Sequence, residues 1–284
     1  MHPPQRISVV ITTYNRSDAL LQVLSALNQQ DDPDFEVVVA DDGSRPEHVQ
    51  AVLGSPVATA LKVVHVWHPD IGFTASRVRN RGVGASSGDY VVFMDGDCVP
   101  EVDFIRRHRQ LAQAGFFVNG SRVMLSEALT QSVLQQRHTL CANPWWRWLV
   151  WRVRGDASKL TGLLRLPDAA LRVQLDFKWK GIRSCNMGVW RKDFDMVNGF
   201  DESFVGWGHE DADFVLRLHN FGVRRKNGFC ATEVYHLWHK EYSRTQESVN
   251  AATVRARMQS GQTMPTEGFT NSCNGSEVVV RRLG

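Results

Sequence analysis

The chain has 284 residues and 43% hydrophobic composition, enough for one large domain with a sizeable core or a core domain with an appendage. A formal charge of +3 is too small to imply a nucleic-acid partner, and no uncharged run approaches the ~18 apolar residues of a membrane span. Five cysteines (98, 141, 185, 230, 273) without CxxC spacing argue for reduced thiols in a cytoplasmic, globular protein rather than a disulfide frame or a zinc site. The charge is unevenly spread. Between Arg137 and Arg183 ten Lys or Arg face three Asp, a net +7, which leaves the rest of the chain at −4.

In chain order, Ile7 to Thr12 is a continuous β-rich run, the pattern of a strand buried on both faces, and it ends in Thr13-Tyr14-Asn15-Arg16. Ser17 stands at an N-cap position, and Leu20, Val23, Leu24 and Leu27 form one apolar helical stripe. A second strand, Phe35 to Ala40, ends in Asp41-Asp42-Gly43-Ser44. A short helix from Pro46 and a third strand, Leu61 to Val66, follow. A helix over about Thr74 to Ala85 carries Arg77, Arg79 and Asn80. The fourth strand, Tyr90 to Met94, discharges into Asp95-Gly96-Asp97. Acids at i and i+2 of a turn can reach one hard divalent cation, or divide between a cation and a ligand hydroxyl, while glycine allows close backbone approach. Taken alone, acid-Gly-acid is more often an ordinary turn.

The β-α-β alternation predicts parallel strands with right-handed crossovers, so every strand's carboxyl end lies on one edge of the sheet. Ligands of open α/β sheets bind at that edge, and the polar clusters at Thr12 to Asn15, Asp41-Asp42 and Asp95 to Asp97 all fall there. No GxGxxG or GxxxxGK[ST] follows the first strand, so neither a dinucleotide fingerprint nor a P-loop is supported.

Beyond a charged helix from Asp103 to Ala114 and a strand from Phe116 to Val123, Asn143 to Arg152 packs four of the nine tryptophans among arginines. Three readings stay open for it: a membrane interface, an acceptor groove with indoles stacked on sugars, or a helical flap with core tryptophans and solvated arginines. Later, Gly206-Trp207-Gly208-His209-Glu210-Asp211 opens an amphipathic helix carrying Phe214, Leu218 and Phe221 and ended by Gly222. Carboxylates in a first helical turn are held ionised by the helix dipole, as a general base requires, although they also serve as ordinary caps. Ala231 to His239 reads as a strand with two histidines, and from about Thr245 the chain turns polar, as an appendage or partly disordered tail.

The segments ISVVITTYNR, VVVADDGS, RNRGVGASSGDYVVFMDGD and NGFDESFVGWGHEDADF resemble the inverting family 2 glycosyltransferases of GT-A fold, the last looking like a segment shared with galactosyl- and N-acetylgalactosaminyltransferases. The resemblance covers about Ile7 to Asp97 and Ser184 to His239. It implies a Rossmann-like, mostly parallel mixed sheet flanked by helices, with the Trp/Arg-rich stretch as a helical insertion. The divisions expected are a nucleotide-sugar half over 1–122, the insertion over 123–183, an acceptor half over 184–244 and an appendage over 245–284. It further implies that Thr12 and Tyr14 line the base pocket, that Asp42 accepts from the uracil imide with Asp41 beside it, and that Arg77 or Arg79 assists at the base or diphosphate. Asp95 would hold the ribose or a metal-bound water, Asp97 would ligate the metal with His236 in preference to His239, and Asn186 would border the donor sugar. Asp211 becomes the expected base, with Glu210 as an acceptor-hydroxyl or sugar-binding partner and Trp207 as a sugar-facing wall.

The expected activity is therefore metal-dependent transfer of a sugar from a UDP-sugar to a hydroxyl of a glycan, lipid-linked or small-molecule acceptor, with Mn2+ or Mg2+ as cofactor. The expected location is cytoplasmic, with peripheral contact at the inner face of a membrane through Trp145 to Trp151, and no nucleic acid is expected. Two alternatives are a sugar nucleotidyltransferase, which lacks its Gly-rich loop here, and a non-catalytic nucleotide-sugar-binding scaffold, which would have lost the intact Gly-His-Glu-Asp segment.

Overall fold

The computed structural model describes residues 2–141, 143–240, 247–272 and 277–284. Four apolar runs form its spine: β1 (Ile7–Thr13), β2 (Phe35–Asp41), β3 (Val64–Trp67) and β4 (Tyr90–Asp95) lie parallel in the order 3-2-1-4. Continuous β-branched sequence suits them because both faces are covered by helices. Register sets Thr12 opposite Ala40 on one side and Asp95 on the other, with Thr13 opposite Asp41, so the polar strand ends emerge on one edge. Helix Ser17–Leu27 buries Leu20, Val23, Leu24 and Leu27. Its cap position falls on Arg16, not Ser17, whose hydroxyl lies 2.9 Å from His48 Nδ1.

Eight further strands complete two sheets: β5 (Cys98–Pro100), β6 (Phe116–Asn119), β7 (Arg122–Met124), β8 (Val173–Gln174), β9 (Asn186–Trp190), β10 (Arg224–Asn227), β11 (Val234–His236) and β12 (Val279–Arg282). The main sheet runs 12-3-2-1-4-9-6-10-8, and a small sheet runs 5-11-7. Because β9 joins β4 antiparallel, the second half of the chain extends the first half's sheet. Phe93 of β4 meets Phe200 and Phe214 of that second half edge-on, at 5.1 and 6.3 Å, in a shared apolar core.

The run Phe116 to Val123, expected as one strand, is two. Gly120 N–H donates to the Asn186 carbonyl at 2.8 Å, and the chain then leaves the main sheet to pair β7 with β11. The strand expected over Ala231 to His239 shortens to β11 for a related reason, since only that part has partners in β5 and β7. In the basic insertion, helix Trp145–Val153 turns Trp148 and Trp151 inward, and Trp148 stacks on Tyr235 at 4.3 Å.

The polar tail is not an appendage. Helix Glu247–Met258 delivers Arg257 to Asp213 and Asp201, at 2.6 and 2.8 Å, and β12 pairs antiparallel with β3 at the sheet's edge. Part of the Thr263 to Glu277 stretch, including Cys273, lies outside the described residues. No helix among the described residues is long and apolar enough to cross a membrane.

Candidate active site

The strand-end edge opens into a cleft of about 500 Å3. Its floor is set by β1 and β4: Thr12 Oγ1 donates to Asp95 Oδ1 at 3.0 Å, and Gly96 N–H donates to the Thr12 carbonyl at 2.8 Å. A Cβ on Gly96 would stand 3.0 Å from that carbonyl oxygen, so any larger residue would press the turn off β1 by a few tenths of an ångström. At one wall Tyr14 donates its phenolic hydrogen to Asp70 Oδ2 at 2.7 Å. Asp42 accepts from the Thr74 amide at 2.9 Å and from the Thr74 hydroxyl, while His68 Nε2 lies 3.2 Å from Oδ1. These contacts fix the Asp42 carboxylate at the cleft, where it can accept from a ligand.

Arg79 is the centre of the arrangement. It projects from helix Ala75–Gly84, is 4% exposed, and donates through Nη2 to Asp95 at 3.3 Å and through Nη1 to Glu210 at 3.1 Å. Burial opposes its charge, but Asp95, Glu210 and Asp211 together hold its pKa above the ordinary arginine range. The two acidic clusters, more than a hundred residues apart in sequence, are thus one electrostatic unit. Neither Glu210 nor Asp211 lines the cleft itself; Arg79 and Trp207 do.

Glu210 and Asp211 begin helix Glu210–Asn220. Gly206 and Gly208, on either side of Trp207, have φ of 76° and 108°, and His209 follows at φ 68°. A non-glycine residue in the left-handed region costs on the order of 1 kcal/mol or more, so this turn is held by its surroundings. His209 stacks on Trp179 at 5.1 Å. Half-buried Asp211 accepts from Ala212 N–H at 2.8 Å and Ser184 N–H at 3.3 Å. Burial and the adjacent Glu210 carboxylate raise it to about 7, against the pull of Arg79. Asp213, the third acid of the turn, is structural. It is fully buried between Arg217 at 2.8 Å and Arg257 at 2.6 Å.

On the other side of the cleft Asp97 faces two imidazoles, with His236 Nε2 3.6 Å from Oδ1 and His239 Nε2 3.2 Å from Oδ2. Burial lowers the pKa of His236 despite Asp97, which keeps a lone pair available, and its Nδ1 has no hydrogen-bond partner. Ligand atoms of Asp97, Cys98 and His236 lie within 4.8 Å of one another. Burial pushes the Cys98 thiol well up, so it offers no thiolate. One carboxylate and the His236 imidazole remain, a pair that fits a divalent cation whose other positions are filled by water and phosphate oxygens.

Three residues expected at the donor are placed elsewhere. Asp41 turns into the core, with Oδ2 3.0 Å from His65 Nε2 and Oδ1 accepting from Ser44 N–H at 2.8 Å. Arg77, two residues from Arg79 and so on a different face of their helix, pairs with Glu202 at 2.8 Å. Asn186 is a buried clasp: Nδ2 donates to the Ser121 and Thr232 carbonyls, and Oδ1 lies 3.1 Å from His108 Nε2. His239, ranked below His236 in the sequence, also faces Asp97, and the cleft is further lined by Asp70, Arg122 and Trp238, which the sequence did not single out. The His-Pro-Asp-Ile-Gly-Phe run after β3, another polar strand end, was the available signal for Asp70. None of the insertion's tryptophans lines the cleft, so the acceptor-groove reading of that helix has no geometric support.

A mixed sheet whose four parallel strands carry an acidic, metal-compatible cleft at their carboxyl edge defines a GT-A type of glycosyltransferase fold, and solved structures agree. The mannosyltransferase PcManGT from Pyrobaculum calidifontis, in complex with GDP-Man and Mn2+, superposes with a TM-score of 0.58 at 17% identity, covering 90% of this chain and 65% of that one. GalNAc-T7 with UDP, GalNAc and Mn2+ gives 0.62 at 14% identity, covering 89% and 48%. The chain belongs to glycosyl transferase family 2, whose description matches residues 8–173, and residues 166–240 match the N-terminal domain of galactosyltransferase. It is similar to validoxylamine A glucosyltransferase of Streptomyces hygroscopicus subsp. jinggangensis, 31% identical over 227 residues that cover 76% of this chain and 52% of the relative. It is also similar to chondroitin synthase of Escherichia coli, 28% identical over 234 residues covering 76% and 32%. The chain therefore spans about half of the first of these relatives and a third of the second.

Proposed function

We propose that the protein transfers a sugar from a UDP-sugar to an acceptor hydroxyl with inversion at the anomeric carbon. One observation carries this reading: Arg79 joins Asp95 of the strand-end cleft to Glu210 of the Gly-Trp-Gly-His-Glu-Asp turn, making one site of two motifs. Solved neighbours that hold GDP-Man or UDP with Mn2+ support a nucleotide-diphosphate donor. Asp42 is the acceptor for the base N–H, Tyr14 a wall of the base pocket, and Asp95, steadied by Thr12, the partner of the ribose.

The acceptor enters beside Trp207. Asp211 takes the hydroxyl proton as the oxygen bonds to the anomeric carbon. The bond from that carbon to the diphosphate oxygen breaks, and its electron pair leaves with UDP. A base near 7 is matched to this task, because it is substantially ionised at neutral pH yet basic enough to take the hydroxyl proton. Asp97 and His236 would hold a divalent cation, with His239 steadying Asp97, and when bound that cation offsets charge growing on the leaving diphosphate. The imidazole favours Mn2+ over Mg2+. Arg122, which lines the cleft, is a further cation for the diphosphate.

The test is slow donor hydrolysis across a panel of nucleotide sugars with and without Mn2+. One UDP-sugar turned over in a metal-dependent way is the expected result. Turnover of none, or only of guanosine donors, overturns the donor assignment.

A further inference from the structure

Helix Trp145–Val153 gives only half of its apolar surface to the protein. Trp148 (2% exposed) and Trp151 (5%) face the core, whereas Trp145 (65%), Trp146 (52%) and Val153 (88%) stand outward with Leu149 and Val150. At 3.6 residues per turn those five outward residues form one continuous stripe, opposite Trp148 and Trp151. Arg147 and Arg154 fall along one flank of the stripe and Arg152 along the other. They are the only charged residues between positions 143 and 155. Arg152 and Arg154 are exposed, and the Arg147 guanidinium sits 5.8 Å from the Trp146 ring centroid.

We infer that this outer face is a peripheral docking surface for an anionic lipid bilayer. An outward stripe of Trp, Leu and Val has the depth profile of the headgroup boundary, where indole rings settle, and arginines on both flanks lie at the level of lipid phosphates. The charged side chains of the helix and its C-cap, Arg147, Arg152 and Arg154, are all basic, with Asp156 3.4 Å from Arg154 the nearest acid, so the complementary surface is predominantly negative. The inference is independent of the proposed chemistry, since no residue of this face lines the cleft.

The experiment is co-sedimentation with vesicles of phosphatidylcholine alone and of phosphatidylcholine mixed with phosphatidylglycerol. The protein should pellet with the mixed vesicles only, and less so as salt is raised. Neutralising Arg152→Gln or Arg154→Gln should weaken partition roughly fivefold each. Trp145→Ser/Trp146→Ser should abolish it while leaving the melting temperature unchanged, because both side chains are exposed. Failure to pellet with either vesicle overturns the inference, as does pelleting that the Trp or Arg variants do not alter. If the face instead holds a second copy, light scattering will show a dimer that the double Trp variant splits, with no vesicle binding.

Discussion

Replacing Arg79 with methionine keeps the side chain's length and apolar stem and removes its charge. The Arg79 side chain is 5% exposed, that of Glu210 11% and that of Asp95 33%. Stripping the cation from a buried pair costs about 3–5 kcal/mol because the partner charge is left uncompensated. Asp95 is a third open to solvent and contributes little, so Glu210 dominates and a loss of roughly 3 kcal/mol is expected. For a chain of this size that is a fall in Tm of about 6–12 °C, readable by circular dichroism. The second readout is Asp211. Burial and Glu210 raise its pKa and Arg79 lowers it, so removing Arg79 must raise it further. Asp211 works as a base only when ionised, so the acidic limb of the pH–rate profile, expected near 7, should move to higher pH in Arg79→Met and less in Arg79→Lys. A variant that melts like the parent and keeps its acidic limb would refute the electrostatic role of the bridge.

Asp211→Asn should lower turnover by ~10²–10⁴ with UDP affinity by calorimetry nearly unchanged, since a base acts on the acceptor and not on the nucleotide. A variant retaining parental turnover would remove Asp211 from the mechanism. Asp97→Ala should abolish the Mn2+-dependent part of UDP binding, and His239→Ala should weaken it; titrations identical with and without metal in the parent would dissolve the proposed metal set. Asn186→Ala should cost about 1–3 kcal/mol in urea denaturation, because the Ser121 and Thr232 carbonyls and His108 lose their partner. Its melting should be affected at any nucleotide concentration, whereas a donor-binding asparagine would chiefly alter donor affinity.

What could be read from the sequence followed from periodicity. The apolar runs of β1, β2 and β4 declare buried parallel strands, and the edge rule then gathers Thr12, Asp42 and Asp95 without any contact being known. Contacts between distant segments are another matter. Asn186 and Asp41 are polar residues at strand ends, as donor ligands are, and only packing shows them turned toward His108 and His65. His239 lies beyond the last paired residue of β11, so its direction depends on how the chain leaves the small sheet. The four tryptophans of the insertion look alike in sequence, and the helix sorts two of them inward. The Val-Val-Arg-Arg of β12 carries too little pattern to announce a strand, because it needs the open edge of β3 to become one.

Helix Ala75–Gly84 explains why the two halves of the cleft keep register. On successive faces it sends Arg77 to Glu202, Asn80 to the Phe200 backbone and Arg79 to both Asp95 and Glu210. Glu202 and Phe200 lie in the loop leading into the Gly-Trp-Gly-His-Glu-Asp turn. The helix beyond that turn is anchored separately, with Arg217 donating to the Val197 and Gly199 carbonyls at 2.7 and 2.8 Å. The turn is thus clamped at entry and exit, and in its middle Gly206, Gly208 and His209 hold left-handed backbone. That middle is held in turn by helix Glu247–Met258, whose Asn250 donates to the Gly208 carbonyl at 2.9 Å. The carboxylate that opens the helix is thereby kept in register, through Arg79, with Asp95 at the end of β4, so the two acidic clusters can shift only together.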